Sequence, residues 1–162
     1  MEGTSDGIGL QSEETRMSKS RKRILMVEDD VDVSRLNTEE LRHAGYLVDN
    51  IEDGATAWDV LKRDSYHLLI TDQHWPKLSG VELLKQIRDA HMTLPIIMIT
   101  DISPQLEFAT HPWIQPATML VEPYSSAELL GMVNKALSAN ASVEINVAPL
   151  PVAKSQPVRH GP

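Results

Sequence analysis

The sequence predicts an α/β domain built on a doubly wound, five-stranded parallel sheet, and three observations carry that prediction. Short apolar runs at Ile24 to Val27, Leu47 to Ile51, His67 to Thr71, Pro95 to Thr100 and Thr118 to Val121 have the length and composition of strands buried on both faces. Segments with helical spacing separate them, so strand and helix alternate along the chain. Polar residues follow the runs: Glu28, Asp29 and Asp30 after the first, Asp72 after the third, Thr100 and Asp101 at the fourth, Glu122 and Pro123 after the fifth. In open parallel sheets, ligands sit at the carboxyl ends of the strands, where these residues stand.

The helices follow in order. Val33, Leu36 and Leu41 space out the first, which Asp30 can cap. Ala57, Val60 and Leu61 mark the second, with Trp58 as packing, and Val81, Leu84 and Ile87 mark the third. Prolines at 104, 112 and 116 interrupt the interval between the fourth and fifth strands, so the fourth helix is expected to be short or irregular. Leu129, Leu130, Val133 and Leu137 mark the last helix, and Ser125 or Ser126 followed by Glu128 suits its N-cap. Residues 1–20 show no sustained period and read as a flexible leader. Residues 139–162 collect prolines and small residues and read as a flexible tail, with one β-like piece at Val143 to Val147. The folded domain is expected at 21–138, with no fused output domain.

Composition narrows the function. The chain has 162 residues, 41% of them hydrophobic, enough for one core. A formal net charge of −8 argues against non-specific binding to nucleic acid or to an anionic membrane. The cluster Arg21, Lys22, Arg23 accordingly reads as a surface flank of the first strand. No stretch approaches the roughly 18 apolar residues of a transmembrane helix, and a cytoplasmic location is expected. The absence of cysteine excludes disulfides and thiolate chemistry, and the six histidines lack ligand spacing.

Acidic residues converging from two strand ends form a hard-oxygen site suited to Mg²⁺ or Mn²⁺ together with a phosphoryl group. A carboxylate beside such a cation can act as a nucleophile toward phosphorus, and a nearby hydroxyl can donate to a phosphoryl oxygen. The motifs ILMVEDD, LLITDQHWPKLSGVELLKQIR, PIIMIT and VEPY, in that order, resemble the receiver domain of two-component response regulators over about residues 21–138. The resemblance implies a flavodoxin-like fold with strand order 2-1-3-4-5. It implies Asp72 as phosphoacceptor, Glu28 and Asp29 as the metal-binding acid pair, and the backbone carbonyl of His74 as a further ligand. Thr100 matches the switch hydroxyl, Pro76 and Gly80 the loop into the third helix, and Pro123 the proline after a cis peptide bond. A histidine kinase or phosphotransfer protein would be the phosphodonor and an unidentified protein the downstream partner; a homodimer is compatible with the pattern.

The sequence departs from the family at the switch. Glu122 stands where receivers carry lysine. A like-charge contact at roughly 4 Å is worth about +1 kcal/mol in water and about +4 at an effective dielectric of 20, where lysine would contribute the opposite sign. Asp101 adds bulk and charge at a position that is small in the family, and Met119 replaces the rotating aromatic. Two readings follow: a phosphorylated receiver, or a pseudo-receiver that keeps the fold and has abandoned phosphoryl switching. A free-standing phosphohydrolase is disfavoured, because Gln73 and His74 follow Asp72 in place of an Asp-x-Asp pair. Trp75 and Trp113 are candidates for a partner surface.

Overall fold

Continuous apolar runs make the central strands of the sheet a wall between two helical layers. The computed structural model describes residues 22–73, 78–101, 109–110, 112–114, 116 and 118–144, with the side chains of 114 and 140–144 excepted. Strands β1 (Arg23–Val27), β2 (Leu47–Ile51), β3 (Leu68–Asp72), β4 (Ile96–Thr100) and β5 (Thr118–Val121) form one sheet, all parallel, in the order β2-β1-β3-β4-β5. Among the described residues the α-helices of more than one turn are α1 (Val31–His43), α2 (Gly54–Arg63), α3 (Gly80–Asp89) and α4 (Ser126–Glu144).

Because successive strand residues point to opposite faces, β1 contributes Leu25 and Val27 to one core and Ile24 and Met26 to the other. The first core is completed by Ala57, Val60 and Leu61 of α2 and Val81, Leu84 and Ile87 of α3. The second takes Leu41 of α1 and Leu129 and Val133 of α4. Every residue of β4 is buried, as expected of a strand covered on both sides.

Helix termini are capped by local side chains. Asp30 Oδ1 accepts from the backbone N–H of Asp32 and Val33 at 2.9 and 3.1 Å, satisfying donors at the start of α1. Ser79 and Glu82 form a reciprocal capping box at α3, and Ser125 with Glu128 does the same at α4.

Two elements differ from the sequence reading. Leu36 is 55% exposed, whereas Asn37 and Thr38 are buried beside Leu41. The inward face of α1 is therefore partly polar, and it is satisfied: Asn37 Nδ2 donates to Tyr124 Oη at 2.8 Å, and Thr38 Oγ1 donates to Asn50 Oδ1 at 2.9 Å. Helix α4 runs on to Glu144, past the boundary at Ala139, and takes in the start of the β-like piece at Val143. Between β4 and β5, the helical residues described are Ala109, Thr110 and a 3₁₀ turn, Pro112–Ile114. The proposed leader, Arg21, Trp75, Pro76 and the tail after Glu144 lie outside the described residues.

Candidate functional site

The strand order reverses at β1, which sends the chain first to β2 and then across to β3, so the crevice lies at the carboxyl ends of β1 and β3. Val27 is paired with Thr71, which brings the residues that follow β1 level with Asp72 at the end of β3. Glu28, Asp29 and Asp72 each offer a carboxylate oxygen, and these oxygens lie within 4.8 Å of one another. That is close to the ~4 Å separating opposite oxygens around Mg²⁺ at ~2.1 Å bonds.

Glu28 is held in place from two sides. Its N–H donates to the carbonyl of Ile51 at 3.0 Å, and its Oε1 accepts from the N–H of Asp30 at 3.0 Å. Only 6% of Glu28 is exposed, and burial first, then the nearby Asp72 and Asp29, push its carboxyl up to about 7 against the opposing Asp30 bond. Three carboxylates in this arrangement suit a hard divalent cation, which would offset both the mutual repulsion and the burial of Glu28.

Asp72 is fixed through the chain that follows it. The N–H of Gln73 donates to Asp72 Oδ1 and also to the carbonyl of Ile99 on β4, the latter at 3.1 Å. Gly80 N–H donates to the Gln73 carbonyl at 3.0 Å, and a β-carbon at Gly80 would collide with the backbone carbonyl oxygen of Asp72. Glycine is required here by close backbone approach. The carbonyl of His74 lies outside the described residues.

The other positions line up along β4 and β5. Thr100 is fully buried at the end of β4, and its hydroxyl donates to Gln73 Oε1 at 2.5 Å. Asp101 and Glu122 are exposed and stand outside the carboxylate triplet, which therefore brings together three of the acidic residues that the sequence placed near the pocket. The Glu122–Pro123 peptide is cis, and the N–H of Glu122 donates to the Thr100 carbonyl at 2.9 Å. Tyr124 follows. Burial raises its phenol, and the carboxylates of Glu122, Glu28 and Asp72 add to the rise, while the bond from Asn37 lowers it. Met119 is partly buried against the core that carries α2 and α3.

Sequence reasoning had passed over the partners of these residues. Gln73 entered only as a departure from an Asp-x-Asp pattern, although its place directly after Asp72 was a signal. The Asn37–Tyr124 bond joins residues 87 positions apart and had no local signal.

Fold and site together define a class: a doubly wound sheet with an acidic, cation-type crevice at its switch point. The response regulator receiver domain family matches residues 24–134. The chain is 31% identical to the response regulator receiver protein CpdR of Brucella abortus, over 73% of this chain and 98% of that protein. It is 34% identical to response regulator RppA of Synechocystis over 67% of this chain but only 47% of that protein, so it spans about half of such longer regulators. Among solved structures, response regulator TrrA of Thermotoga maritima, in complex with Mg²⁺–BeF, superposes with a TM-score of 0.63 at 31% identity, covering 72% of this chain and 99% of that one. The chain belongs to the response regulator receiver family of two-component signalling. Among the described residues no helix is long and apolar enough to cross a membrane.

Proposed function

We propose that the protein accepts a phosphoryl group on Asp72 from a phosphohistidine of a histidine kinase or phosphotransfer protein, and signals by protein contact from the cytoplasm. The observation that carries this reading is the convergence of Glu28, Asp29 and Asp72 oxygens within 4.8 Å. Those three residues would hold Mg²⁺ or Mn²⁺, with the His74 carbonyl supplying a further oxygen as the family resemblance implies. The cation, when bound, supplies positive charge against the carboxylates and the phosphoryl oxygens.

An Asp72 carboxylate oxygen forms the new O–P bond as the donor's N–P bond breaks, and the departing imidazole nitrogen keeps the electron pair and takes up a proton. Asp72 is suited to this role by the rigidity of its anchorage to β4 and to Gly80. Thr100 lies one strand away with a hydroxyl able to donate to a phosphoryl oxygen.

A specific observation favours a second reading. Glu122 places a carboxylate where the family carries an ammonium, so the domain acts as a pseudo-receiver that binds its partner without phosphorylation. Incubation with Mg²⁺ and phosphoramidate or acetyl phosphate, followed by intact mass measurement, separates the two. The first reading expects a single phosphoryl adduct, sensitive to hydroxylamine and absent from Asp72→Asn. An unmodified wild-type protein at saturating donor would leave the pseudo-receiver.

A further inference from the structure

The backbone of Gln73 is pinned on both sides. Its N–H donates to Asp72 Oδ1 and to Ile99 on β4, and its carbonyl accepts from Gly80 at the start of α3. Such anchorage leaves the side chain as the part free to rotate, and that side chain reaches across to β4, where Oε1 receives the Thr100 hydroxyl at 2.5 Å. Thr100 is 0% exposed and Gln73 is half-buried, so the hydroxyl end of the bond is shielded from bulk water. A threonine hydroxyl has one proton to donate. While that proton is directed at Gln73, it is not available to a phosphoryl oxygen on Asp72.

We infer that Gln73 is a positioning residue that holds the Thr100 hydroxyl in the resting protein and must release it before Thr100 can engage a phosphoryl group on Asp72. The inference rests on Asp72 as phosphoacceptor and deepens it: the residue next to the acceptor sets the threshold for the switch. The bland alternative is that Gln73 merely ties β3 to β4. In that case its loss changes stability and leaves phosphorylation unaltered.

The test is a double-mutant cycle in the full chain, with Mg²⁺ and phosphoramidate as donor and intact mass as readout. Gln73→Met keeps the volume and removes the acceptor oxygen, and Gln73→Ala removes both. Each is expected to raise the phosphorylation rate roughly fivefold, the equivalent of one ordinary hydrogen bond. The gain should vanish in a Thr100→Ala background, where there is no hydroxyl to release. Equal rates in wild type and Gln73→Met, slower phosphorylation in the variant, or a gain that survives Thr100→Ala would each overturn the latch while leaving the phosphoacceptor role standing. If neither wild type nor the Gln73 variants are modified, the phosphoacceptor reading falls and the latch with it.

Discussion

On one side of the sheet's carboxyl edge, β1 and β3 hold Glu28, Asp29 and Asp72 close together, one of them buried. On the other side, β4 and β5 carry Thr100, engaged with Gln73, and the exposed carboxylates of Asp101 and Glu122. The first side gathers negative charge and tethers it through backbone bonds, so that a divalent cation would relieve it. The second carries exposed carboxylates, and Glu122 stands where the family resemblance implies an ammonium. Under the proposed function Asp72 on β3 would serve both the cation and the phosphoryl group, whereas Thr100, Asp101 and Glu122 on the β4/β5 side would act on the phosphoryl group alone.

The largest expected effect lies on the β1/β3 side and depends on pH. Glu28 has a folded pKa of about 7 against an ordinary value of 4.5, so the folded state holds its proton more tightly. The associated stability is fully present below about pH 4.5 and is lost as pH rises through about 7. Without divalent cation, unfolding free energy should fall by up to about 3 kcal/mol across that window. Urea titrations at a series of pH values check this; Glu28→Gln should flatten the profile, and so should saturating Mg²⁺. A cation-free profile that is already flat would contradict the charge account of this side.

Gly80→Ala comes next. The added β-carbon meets the carbonyl of Asp72, a backbone atom that cannot step aside, so a loss of about 2 kcal/mol is expected by chemical denaturation. Because that carbonyl belongs to Asp72, one of the three clustered carboxylate residues, Mg²⁺ affinity should weaken in the same variant.

Glu122→Lys tests the β4/β5 side. Glu122 is exposed, so the water-like end of the Coulomb range applies, and reversing its charge, a swing of about 2 kcal/mol, should raise phosphorylation by up to roughly thirtyfold at low salt. The gain should shrink at high salt, and an unchanged yield would remove Glu122 as the cause of any weak switching. Least affected should be Trp113→Ala. Trp113 is 61% exposed, so folding stability should move by no more than about 0.5 kcal/mol, and a change in partner affinity would mark its surface as one used in binding.

Much of this molecule was legible in the sequence because its signals are local. The central strands β1, β3 and β4 read as continuous apolar runs and are buried on both faces, whereas Leu47–Ile51 and Thr118–Val121 fall where their runs predicted them but, as the edges of the sheet, are buried at only one residue each. Helix α1 was less legible. Periodicity put Leu36 inward, but burial went to Asn37 and Thr38, whose polar groups found Tyr124 and Asn50 across the fold. A polar residue can occupy a core-facing position once its hydrogen bonds are met, and no local pattern reports that.

The sequence by itself determined which residues end the strands, and hence that Glu28, Asp29 and Asp72 would gather at one edge, because strand polarity and parallel order carry each run's carboxyl end to the same side. Tertiary structure alone decided how they are held. The approach of Gly80 to Asp72, the shared amide of Gln73 and the bond from Thr100 to Gln73 join elements that are remote or whose spacing depends on the packed sheet. Hydrogen bonds of this kind act over about 3 Å, a distance set only when strands and helices have packed against one another.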